Sequence, residues 1–183
     1  MEIRPLKRDY GISSRFIAGI LLLVLIAVGG NVYVVLHTDL GAGFYSYWLS
    51  SRVLFAQGEN PYASNIFEQI IQRFPEDRYL SGFTLPLYAV IPIFLFSFID
   101  NFEIALIIWM TILEALLVGI GMKTISAFQI DRRTFTPLKI GTVMLLSYYS
   151  VVAVLDGDIG ILAVFLLMMA LDAIRSQEDE FAG

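Results

Sequence analysis

Two places in this sequence gather side chains that can do chemistry. The first is His37-Thr38-Asp39, where a long apolar run ends; the second is Asp156-Gly157-Asp158, between two later apolar runs. Two carboxylates bracketing a glycine on one turn, with help from Asp39, have the oxygen chemistry of a divalent-cation site. The same three residues also form a common turn sequence. Asp39 stands just ahead of Gly41, where a carboxylate can equally cap the positive end of the following helix. His37 is the only histidine; that is too few for a multi-histidine metal site, and its place at a membrane exit suits a polar anchor. Arg52, Arg73 and Arg78 are cations that suit either a phosphate group or an exposed charged face. Glu114 lies inside an apolar run, where an acid reads as a functional group or as a protonated or paired helix contact.

The elements that must position these residues are membrane helices. The chain has 183 residues, 57% hydrophobic and 16% charged, which is too apolar for an ordinary soluble domain. A net charge of -5 and a pI near 4.8 leave no basic patch for nucleic acid. The absence of cysteine excludes disulfides, thiolate metal sites and a cysteine nucleophile. No phosphate-cradling glycine loop, Ser-His-Asp set or cofactor signature is present.

Arg4, Lys7, Arg8 and Arg15 outweigh Glu2 and Asp9 ahead of the first apolar run, which puts the N-terminus in the cytoplasm. Residues 16–36, at about 1.5 Å each, reach roughly 31 Å and cross the hydrocarbon core. Residues 37–82 then form an outer-face insert. Within it, residues 41–57 read as an interfacial helix with Phe44, Tyr47, Trp48 and Phe55 near one face and Ser46, Ser50 and Gln57 among the others. Gly58-Glu59-Asn60-Pro61 stops that helix. Residues 64–74 read as a second short helix, with Ser64 as N-cap and Ile66, Phe67, Ile70, Ile71 and Phe74 as its stripe.

Residues 83–99 are apolar but short and carry Pro86 and Pro92. If they crossed fully, the basic loop holding Arg132, Arg133 and Lys139 would face outside, against the positive-inside rule. A re-entrant or juxtamembrane helix there puts residues 126–137 in the cytoplasm. Residues 104–125, 138–155 and 159–174 are the remaining spans, with residues 175–183 a cytoplasmic tail. The expected fold is therefore an all-α polytopic bundle of four full spans plus one re-entrant helix. It sets the insert and the Asp156/Asp158 turn on the same side.

In one further respect the insert resembles a known family. Thr38-Asp39 at the end of a first membrane helix, the aromatic helix Phe44-Tyr45-Ser46-Tyr47-Trp48, and Gly58-Glu59-Asn60-Pro61-Tyr62 in place of a Gly-x-Asn-Pro-Tyr turn are similar to the N-terminal part of the GT-C superfamily. These are integral membrane glycosyltransferases that use polyprenyl-phosphate sugars, and the likeness is to the bacterial mannosyltransferase-like branch. Phe83-Thr84-Leu85-Pro86-Leu87 stands where such proteins often have an aromatic residue, two prolines and a leucine; here one proline is kept and Thr84 replaces the aromatic. The resemblance implies an inner-membrane protein with Asp39 as general base on an acceptor hydroxyl. It also implies substrate contacts at Tyr45, Arg52 and Arg78, and an optional divalent cation at Asp156 and Asp158. Members are generally longer, so the expectation is a front module completed by helices of another polypeptide. The alternative is a non-catalytic subunit of that fold, a scaffold or lipid contact in a larger respiratory or photosynthetic membrane complex.

Overall fold

Backbone that meets lipid has to satisfy its own N–H and C=O groups, and in a single apolar segment only a helix does so. The computed structural model describes residues 14–75, 87–128 and 136–176, and among them every regular element is helical. Helix α1 (Ser14–His37) has 24 residues, about 36 Å of rise. Its last turn closes on itself: Thr38 Oγ1 donates to the Val34 carbonyl at 2.6 Å, and His37 Nδ1 lies 2.7 Å from the Tyr33 carbonyl. His37 also stacks on Tyr33 at 4.4 Å between ring centroids, the anchoring role its position suggests.

The chain then turns by 92° into α2 (Ala42–Arg52), which continues as a π-helical turn over Val53–Gln57. The interfacial helix expected over residues 41–57 is thus two pieces. Phe44 and Trp48 are buried as the pattern requires, whereas Phe55 is exposed and Ser46, Ser50 and Ser51 are buried. The serine side of α2 meets protein rather than water. After Gly58, the Asn60 side chain accepts from the Tyr62 backbone N–H at 3.0 Å, which fixes the Asn-Pro-Tyr turn.

Helix α3 (Ser64–Arg73) is capped by Ala63 without a side-chain bond, so Ser64 is the first helical residue and not the expected N-cap. Its buried stripe is narrower than expected. Ile66, Ile70 and Phe74, each four residues on from the last, are buried, and Phe67 and Ile71 are exposed. The four-residue step keeps only one line of side chains on the neighbouring helices.

Within residues 83–99, the described part Leu87–Phe98 is a 3-10 helix of 12 residues containing Pro92. At about 2 Å per residue it extends roughly 24 Å, short of a hydrocarbon core. It lies along α2 and the π turn, and Ser51 Oγ donates to the Ile93 carbonyl at 3.4 Å. Small serines on α2 let this proline-bearing helix approach.

Helix α4 (Phe102–Ala127) has 26 residues and touches α1, α2, α5, α6 and α7. Its start is fixed by Asn101, whose side chain accepts from the Ile104 N–H at 2.8 Å. The single span expected over residues 138–155 is broken into α5 (Thr136–Leu146) and α6 (Tyr148–Asp156), bent by 49°. Ser147 makes the break by capping α6, its Oγ accepting from the Ser150 N–H at 3.3 Å. Helix α7 (Gly160–Ser176) closes the described chain, and Lys123 of α4 pairs with Asp172 on it. Among the described residues α4 alone is long and apolar enough to cross a membrane; counting each bent pair as one span gives up to three.

The core sits where α2, the 3-10 helix and the first half of α4 meet. Phe44 is fully buried, stacked on Trp109 at 5.5 Å and met edge-on by Phe96 at 5.7 Å. Phe102 joins it to Tyr45, Trp48 and Phe74. Offset and edge-on pairs of this kind add to the gain from burial itself.

Candidate functional site

Three elements converge beside the corner between α1 and α2: the residues following α1, the last turn of α3 and the first turn of α4. Arg73 of α3 lies between two acids, 3.4 Å from Asp39 Oδ1 and 3.6 Å from Glu103 Oε1. Its guanidinium also covers the Phe74 ring at 5.3 Å, which aligns it without burying it. Asp39 remains 81% exposed and Arg73 40%, so both are open to a ligand. They line a cleft of about 620 Å³ together with His37, Asn101 and Glu103. On the other side they line a second cleft of about 480 Å³, where Asp156 joins them.

Asp39 and Asp156, one from each of the two places singled out in the sequence, line one cleft, but the carboxylates are differently occupied. Asp156 Oδ1 accepts from the Gly43 N–H at 2.9 Å, so this residue, and not Asp39, meets the positive end of α2. The approach is close: a Cβ at Gly43 would stand 2.5 Å from Asp156 Oδ2. Asp158 Oδ1 accepts from the Gly160 N–H at 2.7 Å, at the start of α7. Between them the Gly157 carbonyl accepts from Trp109 Nε1 at 2.9 Å. The Asp-Gly-Asp turn is thereby the clasp joining α2, α4, α6 and α7. Among the described residues no group of three or more His, Cys, Asp or Glu side chains is placed to hold a metal ion.

Of the expected substrate contacts, Arg52 is turned to the fold. It donates to the Ile99 carbonyl at 2.8 Å and to Asp100 at 2.7 Å, and covers the Trp48 ring at 5.1 Å. Tyr45 is half-buried among Trp48, Phe74 and Phe102. Burial raises its phenol pKa, Arg73 pulls it back and Glu103 pushes it up again. Arg78 lies outside the described residues.

Sequence reasoning did not select Arg73 over Arg52, and it missed Glu103 and Tyr47. Burial raises the Tyr47 phenol pKa, and the charges of Asp158 and then Asp156 raise it further. No spacing rule marks these contacts, because they join segments remote in sequence. The retrievable signal was Arg73 in the last turn of a short amphipathic helix, beside Phe74 of its stripe and the Pro75 stop.

No protein-family model, no curated protein and no solved structure matches this chain.

Proposed function

We propose that the chain is an integral inner-membrane module for sugar transfer of the GT-C kind, working at the outer face on a polyprenyl-phosphate sugar. In this reading four spans, including α1, α4 and the bent α5–α6 pair, cross the bilayer from a cytoplasmic N-terminus, and other membrane subunits are partners. The observation that carries it is the sharing of both clefts by Asp39 and Arg73. Transfer needs a carboxylate within reach of the acceptor and a positive charge for the leaving phosphate. Asp39 takes the acceptor's hydroxyl proton as that oxygen bonds to the anomeric carbon. The bond from that carbon to the phosphate oxygen breaks, and Arg73 holds the departing polyprenyl phosphate. Exposed ion pairs at 3.4 and 3.6 Å stabilise by about 1 kcal/mol at most, so a phosphate can displace the acids from Arg73. Tyr45 borders the same charges as a substrate contact. The optional cation expected at Asp156 and Asp158 takes no part in this step, because each of those carboxylates already accepts a backbone N–H, from Gly43 and Gly160.

The competing reading is a non-catalytic subunit, a scaffold in a larger membrane complex. It is favoured by Arg52 and Asp156, which are engaged in holding helices together. Asp39→Asn separates the two readings. In membranes supplied with polyprenyl-phosphate sugar, it should abolish transfer while the amount of chain in the membrane stays constant. Unchanged transfer removes Asp39 as the base and leaves the scaffold.

A further inference from the structure

A third cavity lies between α1, α4 and the α5–α6 junction, sharing only Leu155 with the second cleft. It has a volume of about 610 Å³, and its walls are apolar except for Asn31, Thr111 and Glu114. That size and make-up, an apolar pocket with a few convergent polar groups, is what a small-molecule site requires. An acid inside a membrane helix adds a reason to look for function.

The hydrogen bonds determine what kind of group would fit. Buried Asn31 donates from its amide nitrogen to Thr111 Oγ1 at 3.1 Å and to Glu114 Oε2 at 3.2 Å. Thr111 passes its own proton to the Ile107 carbonyl at 2.8 Å. The donors of Asn31 and Thr111 are thus spent. Among the described residues nothing donates to Glu114 Oε1 or Asn31 Oδ1. A hydroxyl fits this cluster in either state of the acid, since it can donate to a carboxylate or to Asn31 Oδ1 and can accept from a protonated carboxyl. A phosphate brings negative charge to an acid and is the wrong group; this is not a second site for the sugar donor.

We infer that this cavity binds a neutral long-chain lipid alcohol from the bilayer, its hydroxyl donating to Glu114 or Asn31 and its chain lying along α1 and α4. The cavity's α1 wall includes Leu23 and Ile26, which are 67% and 63% exposed, so entry is from the lipid. Gly30 also lines it, and a Cβ there meets nothing within 4 Å. The inference goes beyond the sugar-transfer reading and does not depend on it.

The full chain in phosphatidylcholine vesicles, labelled with a hexadecanol that carries a photoactivatable diazirine, provides the test. Labelling should fall on α1 and α4, and hexadecanol should compete where hexadecane does not. Gly30→Leu adds bulk at a lining position where a Cβ meets nothing within 4 Å, and Glu114→Leu removes the acceptor. Each should lower labelling about tenfold, the scale of one lost buried hydrogen bond. Glu114→Gln keeps the shape and an acceptor and should retain most of it. If Glu114→Leu fails to fold, Gly30→Leu alone decides. Equal competition by hexadecane, stronger competition by hexadecylamine, or full labelling of Gly30→Leu overturns the assignment.

Discussion

Helices α1 and α2 are consecutive and meet at a right angle, yet the more apolar one is the less buried. On α1, Leu21, Leu22, Leu23, Leu25 and Ile26 are each more than half exposed, from 58% to 68%. On α2, Phe44, Ser50 and Ser51 are all fully buried, at 0%. In water this order would be perverse. In a bilayer the exposed face of α1 meets a solvent as apolar as itself, so hydrophobicity marks contact with lipid. Protein contact is marked instead by small residues that admit a second backbone and by rings that fill the space between. α2 has both, and the aromatic core has gathered around it.

The sharpest way to break this contrast is to truncate one side chain from each helix. Phe44→Ala empties the centre of the ring cluster and should cost about 3–5 kcal/mol. Leu22→Ala trims an exposed apolar side chain and should leave stability within roughly 0.5 kcal/mol of the parent. Unfolding of the detergent-solubilised chain by SDS, followed through Trp48 and Trp109 fluorescence, measures both. Comparable losses would mean that α1 is covered by protein.

Gly157→Ala should rank next. Gly157 has φ of +74°, and an added Cβ would meet Phe44 Cβ at 2.5 Å and Trp109 Cδ1 at 3.3 Å. The left-handed backbone costs about 1–2 kcal/mol and overpacking about 1–3 more. Loss of the tryptophan near-UV dichroism with far-UV helicity retained would show that the cost falls on the core and not on the spans.

How far the fold was legible follows the same division. The all-helical class was readable because continuous apolar runs leave few other options, and α4 was readable at nearly its full length. The Ile66, Ile70 and Phe74 stripe could be read from its spacing. The break at Ser147 could not, because one serine in an apolar run bends a helix only when its hydroxyl turns to cap the next segment. The burial of Ser51 was equally hidden, since its hydroxyl meets a 3-10 helix more than 30 residues away. At the candidate site, the closeness of Asp39 and Asp156 was inferred from topology alone. The choice between Arg52 and Arg73 needed coordinates, because both sit in the last turns of neighbouring helices and differ only in what they reach.

A smaller effect tests the clasp that holds the core together. Asp156→Ala removes the acceptor from the Gly43 N–H and should cost about 1 kcal/mol, in the range of a lost helix cap. Asp39→Ala should cost less, because its pair with Arg73 is exposed. SDS unfolding of both variants settles their order. A reversal would return the capping role to Asp39 and loosen the link between α2 and the acidic turn.

The smallest effect lies in alkaline pH and concerns the tyrosines bordering the core. Burial is the main cause that lifts the phenol pKa of Tyr47, and the negative charges of Asp158 and then Asp156 lift it further. For Tyr45 burial again leads, with Arg73 opposing. A folded-state value above the usual value of about 10 means that the folded chain holds its phenol protons more tightly than the unfolded chain does. The corresponding stability is complete below the unfolded value and falls away as pH rises through the folded one. Phenolate absorbance should show a late-titrating component that Tyr47→Phe reduces, leaving the part that belongs to Tyr45, and that Asp158→Asn moves in part to lower pH. If Asp158→Asn leaves that component where it was, the charge of the acidic turn is not what holds it up.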